Sequence, residues 1–235
     1  MIKAVFFDLD GTLLPLDQDV FVKTFSGMLS DKMVSEKDYD RKQLGQAVWG
    51  SIAKMTVNTG EKTNEEVFWD TYCSVMGPEF RNDEADFLSF YTNEFQQVKS
   101  VCSPDKRADE IVKLVKSKGL MAVLATNPLF PAVSTLSRVG WAGLDKEDFE
   151  LITTFEDYHY CKPNLEYYKE ILAKLNLSPE ECAMVGNDVN EDMIAQQLGM
   201  KVFLLTDCLI NKDGKDISVY PNGGFDRLKK FIEEL

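Results

Sequence analysis

The sequence has a single histidine and no closely spaced pair of cysteines, and both scarcities exclude classes of site. The five cysteines lie far apart and are odd in number, which predicts free, mostly buried thiols rather than a disulfide framework or a zinc site. Because His159 is the only histidine that could activate a thiol, a catalytic cysteine is not expected. We expect His159 itself to lie at a rim or on the surface.

Positive charge and long apolar runs are also scarce. The chain has 26 Lys and Arg against 39 Asp and Glu, which gives a formal net charge of −13 and a sequence pI near 4.6. Nucleic acids and anionic membranes are therefore not expected as partners, since their phosphates bind clustered cations. No apolar run reaches the roughly 18 residues that a transmembrane helix needs, and the chain reaches Asp8 before a signal-peptide core could form. These features predict a soluble, cytoplasmic protein.

The pattern of short apolar runs predicts an α/β fold. With 235 residues, 44% apolar and 28% charged, the chain suits one large domain or a domain with an insertion, and wholesale disorder is excluded. Five runs are apolar without alternation, as in strands buried on both faces of a parallel sheet: Ile2–Phe7, Leu120–Ala125, Leu151–Thr153, Cys182–Val185 and Lys201–Leu205. Helical patterns at Asp109–Lys118 and Asn164–Leu175 alternate with them. This alternation predicts right-handed βαβ units in a doubly wound, Rossmann-like sheet.

A long segment after the first strand shows only helical periodicity. Its patterns cover Asp17–Ser30, Lys37–Val57, Asn64–Met76 and Glu84–Gln97. We therefore predict an α/β core made of residues 1–14 and 101–235, with an all-helical insertion at residues 15–100. The aromatic side chains of the insertion are expected to form the core of a small bundle, or in part to line a substrate cleft at the domain boundary. The C-terminal segment predicts a loop followed by a closing amphipathic helix.

Two carboxylates stand at the end of the first predicted strand, in the segment Asp8-Leu9-Asp10-Gly11-Thr12. In an extended segment, residues i and i+2 point to the same side, so Asp8 and Asp10 can face one cavity. Like charges a few ångströms apart raise the proton affinity of one carboxylate, which favours one ionised and one protonated role. A divalent cation would offset their repulsion. A simple turn capped by Asp8 is the alternative.

Three further segments with polar side chains follow at or near predicted strand ends. They are Thr126-Asn127-Pro128, Lys162-Pro163, and Gly186-Asn187-Asp188 with Asp192. Thr126 and backbone N–H groups near a helix start could bind a phosphate, although a capped turn explains them too. Lys162 could neutralise anionic charge or be an ordinary surface lysine. Carboxylate oxygens such as those of Asp188 suit Mg²⁺, whereas Asp192 could simply stabilise a helix dipole.

The joint order of these four segments resembles the haloacid dehalogenase superfamily, whose hydrolases form aspartyl-phosphate intermediates. The resemblance spans residues 1 to about 210, and the helical insertion resembles that family's mobile cap. One segment departs from the family pattern, because Gly186-Asn187-Asp188 stands where the family usually has Gly-Asp. The spacing from Asp188 to Asp192 is retained, so the role of metal ligand is transferred to Asp188. Whether Asn187 or Asp192 also contacts the metal is left open.

The resemblance implies a Mg²⁺-dependent phosphatase acting on a small phosphate monoester. In that reading Asp8 is the nucleophile, Asp10 is the general acid and base, and Lys162 offsets negative charge. Thr126 and Asn127 bind the phosphoryl group, and Mg²⁺ is held by the Asp8 carboxylate, the Asp10 backbone carbonyl and Asp188. A small phosphorylated metabolite is the expected partner of a monomer or homodimer. The alternatives are a phosphomutase or another phosphotransferase of the family, or a phospho-acceptor or binding domain without turnover.

Overall fold

A six-stranded, fully parallel sheet forms the centre of the computed structural model, which describes residues 1–235. Its strands are β1 Ala4–Phe7, β2 Met121–Leu124, β3 Leu151–Ile152, β4 Cys182–Gly186, β5 Lys201–Leu205 and β6 Asn222–Gly223. They lie side by side in the order β3-β2-β1-β4-β5-β6. The predicted α/β parallel fold is thus confirmed, and the five predicted strands are present with ends shifted by up to two residues. The short β6 was predicted as loop, because Asn-Gly-Gly is typical of a turn.

Strand register brings the candidate segments to one edge of the sheet. In β1, Phe7 pairs with Leu124 of β2 on one side and with Val185 of β4 on the other. The three strands therefore end at the same level, and the residues that follow them lie side by side. In open α/β sheets this carboxyl edge is where ligands bind.

Strand β1 is buried on both faces, as its unbroken apolar run predicts. Val5 and Phe7 belong to a cluster of 41 buried residues that includes the packed faces of the N-terminal helices. Ala4 and Phe6 point to the opposite face, into a second cluster of 17 residues. One sheet face is therefore continuous with the apolar interior of the helical segment.

Four helices occupy the segment between β1 and residue 92, and four more follow. They are α1 Gln18–Lys37, α2 Arg41–Thr56, α3 Asn64–Met76, α4 Glu84–Thr92, α5 Arg107–Ser117, α6 Ala132–Trp141, α7 Leu165–Leu175 and α8 Phe225–Glu233. The expectation of one helix over Lys37–Val57 was wrong: Asp38 adopts a left-handed conformation, and the Asp40 side chain caps a new helix. Predicted Glu84–Gln97 also divides, since α4 ends at Thr92 and Glu94–Val101 is a 3₁₀ helix.

Aromatic side chains fill the interior of the helical segment. The helical periodicity predicts one shared face for Phe68, Tyr72, Val75 and Met76 and another for Phe87, Phe90, Tyr91 and Phe95. All six of these aromatic residues are buried, whereas Val75 is 37% exposed. Tyr39 and Tyr72 both donate to the buried carboxylate of Asp83, at 2.8 and 2.7 Å, so the one buried acid among these side chains has two donors. None of the eight helices combines the length and the apolar character that a membrane crossing needs.

Candidate active site

Asp8 lies directly after β1, and its carboxylate is held by two donors. One oxygen accepts from the ammonium of Lys162 at 2.9 Å, and the other accepts from the hydroxyl of Thr12 at 3.3 Å. Asp8 is 8% exposed. The backbone N–H of Asp8 donates to the carbonyl of Val185 at 2.9 Å, which continues the β1–β4 pairing by one residue. A fixed, nearly buried carboxylate at a strand end is suited to attack on a bound electrophile.

Lys162 is completely buried and joins two carboxylates. Its ammonium lies 2.9 Å from Asp8 and 2.6 Å from Asp192. Burial disfavours the charged ammonium, but Asp192 and Asp8 outweigh that effect and hold the pKa of Lys162 well above its ordinary value. Burial raises the pKa of Asp192 to about 7, because one ammonium shared with Asp8 only partly offsets it. Lys162 is therefore a permanent cation behind the Asp8 carboxylate.

Asp10 faces a second cation. The guanidinium of Arg138, on α6, donates from Nη1 to Oδ2 of Asp10. Burial raises the pKa of Asp10 to about 6 despite the opposing charge of Arg138. The other carboxylate oxygen, Oδ1, is buried and has no hydrogen-bond partner. A carboxyl group that titrates near neutrality can both give and take a proton, which is what a general acid and base requires.

Gly11 lets two chain segments approach closely. Its φ is +83°, and a Cβ at this position would overlap the side-chain amide of Asn187. The Thr12 hydroxyl, whose single proton is shared with Asp8, lies 2.9 Å from the amide oxygen of Asn187, and the Asn187 amide donates to the carbonyl of Cys208 at 2.7 Å. The Asn187 side chain therefore ties the turn after β1 to the loop after β5.

The loop after β4 is fixed by hydrogen bonds to its own carboxylates. One oxygen of Asp188 accepts from the backbone N–H of Asn190 at 2.7 Å and of Glu191 at 3.0 Å. The N–H of Asp188 in turn donates to Asp192 at 2.9 Å. Burial raises the pKa of Glu191 to about 7, and Lys162 only partly offsets the effect. This loop holds three carboxylates within five residues.

Asn127 connects this loop to the segment before α7. Its side-chain amide donates to Glu191 at 3.0 Å, and its amide oxygen accepts from the backbone N–H of Lys162 at 3.2 Å. The carbonyl of Thr126 accepts from the hydroxyls of Tyr167 at 2.8 Å and Thr153 at 2.6 Å. The residues after β2 are thereby locked in place beside Asp8.

Five of the six residues predicted for the site line one cavity of about 620 Å³. They are Asp8, Asp10, Thr126, Asn127 and Asp188. Lys162 does not line the cavity but contacts Asp8 from within the protein. The cavity is also lined by Gln18, Phe130, Glu191 and Lys212, which the sequence did not suggest. His159 lies elsewhere, 2.8 Å from Glu170 with its side chain 36% exposed.

A second, more apolar cavity of about 540 Å³ adjoins the first through their shared residue Leu129. Phe68, Phe87 and Tyr91 of the helical segment line it together with Phe155 from the α/β part. The aromatic residues of α3 and α4 thus both pack in the interior and line a cavity between the helices and the sheet.

The oxygen donors around the first cavity fit a hard divalent cation. Asp8 and Asp188 both line it and present carboxylate oxygens, whereas no cysteine or histidine does so. Asp10, whose Oδ1 is buried without a partner, lines the same cavity. No three or more His, Cys, Asp or Glu side chains are grouped so as to bind a metal by themselves. A cation here would thus depend on two carboxylates together with backbone oxygen, bound substrate or water.

Comparison with known proteins identifies the family of this chain. The model of haloacid dehalogenase-like hydrolases matches residues 2–199. The chain belongs to this family. The family membership that the sequence predicted is thus confirmed for this haloacid dehalogenase-like hydrolase. The match continues through the segment Gly186-Asn187-Asp188, where the sequence departs from the usual family pattern.

Curated relatives of this hydrolase are distant but cover most of its length. A glyceraldehyde 3-phosphate phosphatase of Methanothermobacter thermautotrophicus is 25% identical over 252 residues, covering 93% of this chain and 95% of the relative. The pyrophosphatase PpaX of Bacillus cereus is 25% identical over 200 residues, covering 85% and 81%. A solved 2-haloacid dehalogenase from Pseudomonas syringae superposes with a TM-score of 0.64 at 16% identity over 100% and 99% of the two chains. That likeness shows the fold alone.

Proposed function

We propose that this hydrolase is a Mg²⁺-dependent phosphatase that cleaves a small phosphate monoester through an aspartyl-phosphate on Asp8. The observation that carries the proposal is the position of Asp8, fixed between Lys162 and Thr12 in the cavity that Asp10, Thr126 and Asp188 also line. A nucleophile, a proton carrier and anion-neutralising groups around one cavity are the parts that phosphoryl transfer requires. The names of the curated relatives, both phosphatases, agree with it.

The first step transfers the phosphoryl group to the protein. A carboxylate oxygen of Asp8 forms a bond to phosphorus while the bond from phosphorus to the leaving oxygen breaks. Protonated Asp10 gives its proton to that leaving oxygen, and the alcohol departs.

In the second step a water molecule attacks the phosphorus of the aspartyl-phosphate. Asp10, now ionised, takes a proton from this water. The bond to Asp8 breaks, inorganic phosphate is released, and both carboxyl groups return to their initial protonation states.

Positive charge around Asp8 makes the approach of an anionic substrate possible. Two unit charges 4 Å apart repel by about 4 kcal/mol at an effective dielectric constant near 20. Lys162 offsets this repulsion from behind Asp8, and Thr126 with the backbone N–H of Asn127 would bind the transferring oxygens. Mg²⁺ held by the Asp8 carboxylate, the Asp10 carbonyl and Asp188 would supply further neutralisation of the phosphoryl group. Asn187 and Asp192 already have protein partners, Thr12 and Lys162.

Retention of Asp10 argues against dehalogenation. Halide is a leaving group that needs no proton, and its displacement needs no divalent cation. This chain nevertheless has a buried carboxyl group with a pKa near 6 and a second acidic loop at the same cavity. A phosphomutase or another phosphotransferase would use the same first step and differ in the acceptor. The acidic surface makes a small phosphorylated metabolite a better candidate substrate than a nucleic acid.

Phosphate release from 4-nitrophenyl phosphate with Mg²⁺ tests the proposal. Asp8→Asn should lower kcat by about 10³-fold or more, because the nucleophile is removed with little change in shape. Asp31→Asn, a matched change at an exposed position of α1, should leave kcat unchanged. If wild type is no faster than Asp8→Asn, hydrolysis is wrong, and a phospho-acceptor or binding role is favoured. A panel of phosphorylated sugars, nucleotides and small acids would then identify the substrate.

A further inference from the structure

Arg138 is a fully buried arginine whose guanidinium contacts a single carboxylate, that of Asp10. It lies on α6, and its side chain is 1% exposed. An unpaired buried cation is strongly unfavourable, so its place in the fold depends on Asp10. Arginine is seldom fully buried without such a partner.

The guanidinium is held from several sides. Nη2 donates to the hydroxyl of Thr135 at 3.3 Å, and Nε donates to the carbonyl of Ser134 at 3.4 Å. The plane of Phe130 lies against it, with 4.4 Å from Cζ to the ring centroid. These contacts hold the guanidinium in one orientation, in which Nη1 faces Asp10.

The two oxygens of Asp10 are consequently different. Oδ2 accepts from Arg138, whereas Oδ1 has no partner in the protein. Oδ1 is buried, so the bond from Arg138 to Oδ2 is the one hydrogen bond that fixes rotation of the carboxyl group. A carboxyl group free to rotate would spend much of its time in other orientations.

We propose that Arg138 is a positioning residue, which fixes the orientation of the Asp10 carboxyl group for transfer of its proton to the leaving oxygen. This inference rests on the proposed phosphatase function. Arg138 does not line the cavity itself and so acts only through Asp10. Phe130, which does line the cavity, also packs against Phe25 of α1 at 5.2 Å between ring centroids. The same ring that holds Arg138 therefore contacts the first helix of the helical segment.

Two aryl phosphates that differ in leaving group give a readout that loss of structure would not produce. Phenyl phosphate has a poor leaving group that needs a proton, whereas 2,4-dinitrophenyl phosphate has a good one that leaves without help. With either substrate, kcat/KM reports only the steps up to formation of the aspartyl-phosphate. We expect Arg138→Met to lower kcat/KM for phenyl phosphate by about 10- to 100-fold, which is a part of the roughly 10²- to 10⁴-fold that general acid catalysis contributes. The value for 2,4-dinitrophenyl phosphate should fall by less than about threefold.

The Asp10→Asn variant tests whether Arg138 acts through Asp10. It should show the same dependence on leaving group, and adding Arg138→Met to it should cause no further loss, because the two residues act as one unit. Arg138→Lys should recover part of the phenyl phosphate activity, since it keeps a cation near Asp10 but lacks the planar fork. Should Arg138→Met not fold, Arg138→Lys carries the same comparison of leaving groups against wild type.

Equal loss on both substrates, no loss on either, or additive loss in the double variant would overturn the role of Arg138. Failure of the proposed function has a different signature, because wild type itself would then release no phosphate from either compound.

Discussion

The ammonium of Lys162 lies 2.6 Å from a carboxylate oxygen of Asp192, and both side chains are almost completely inaccessible to solvent. The same ammonium also serves Asp8 at 2.9 Å. Two buried carboxylates therefore depend on a single cation, and the stability of the site depends on all three groups together.

Replacing Lys162 alone should be strongly destabilising. Lys162→Met leaves Asp8 and Asp192 buried without their cation, which should lower the free energy of unfolding by about 3–5 kcal/mol. Adding Asp192→Asn should restore part of that loss, with a coupling of about 0.5–3 kcal/mol. Urea unfolding of wild type, Lys162→Met, Asp192→Asn and the double variant in chelator-containing buffer measures both values. Additive effects of the two substitutions would show that the pair has no energetic connection.

Close packing at Gly186 should also make the site sensitive to substitution. A Cβ at Gly186 would overlap the Asp192 carboxylate, so Gly186→Ala should displace Asp192 from Lys162. We expect a loss of about 1–3 kcal/mol in stability and a fall of about 10- to 100-fold in kcat, since small displacements of catalytic groups are costly. Phosphatase assays and urea unfolding measure the two effects.

Gly140→Ala is the matched control for that change. Gly140 lies in α6, where an added Cβ has open space around it. The substitution should therefore be neutral or stabilise the protein by up to about 1 kcal/mol through helix propensity. Equal behaviour of the two variants would mean that Asp192 tolerates displacement.

The sequence predicted the residues at strand ends because parallel strands bring their carboxyl ends to one edge. Asp8, Thr126 and Asp188 follow β1, β2 and β4, and this order alone was enough to expect them around one cavity. Their proposed chemical roles depend on the family resemblance, since a turn or a cap explains each segment taken singly. The metal-ligand roles of Asp8, Asp10 and Asp188 stay predictions.

Arg138 and the ion pair of Asp192 with Lys162 could not be found in the same way. Helix α6 was not predicted, because its sequence Ala132–Trp141 mixes β-branched residues, serine and glycine and buries Arg138 while Leu136 is 37% exposed. At these two positions that is the reverse of an amphipathic pattern. Asp192 follows a strand end closely enough to suggest a helix dipole, and only the fold reveals Lys162 beside it. Both residues derive their role from a partner that is distant in sequence.

Removal of divalent metal should abolish turnover. We expect exhaustive EDTA treatment to lower phosphatase activity by about 10²-fold or more and Mg²⁺ to restore it, because phosphoryl transfer depends on charge neutralisation. Asp188→Asn should raise the Mg²⁺ concentration needed for half-maximal activity by at least about tenfold. It should also reduce the increase in Tm that Mg²⁺ gives wild type, as ligand linkage requires. Full activity after chelation would contradict the role of Asp188.

Stability without metal should fall as the pH rises through neutrality. Burial raises the pKa of Glu191 to about 7, from an ordinary value near 4.5 in the unfolded chain. Between these two values the folded protein holds a proton that the unfolded chain has released, so the stability that Glu191 contributes is fully present below pH 4.5 and is lost as the pH approaches 7. Asp10 and Asp192, with pKa values raised to about 6 and about 7, contribute to the same decrease of stability with rising pH.

Glu191→Gln isolates the contribution of Glu191 to this decrease of stability with pH. Glutamine keeps the shape of Glu191 but cannot ionise, so the variant should lose less stability than wild type between pH 4.5 and pH 7, and the gap should widen toward pH 7. Urea unfolding at several pH values in EDTA measures the gap, and Glu150→Gln removes the same charge at an exposed position as a control for net charge. Parallel curves for wild type and Glu191→Gln would show that Glu191 ionises equally easily in the folded and unfolded chains.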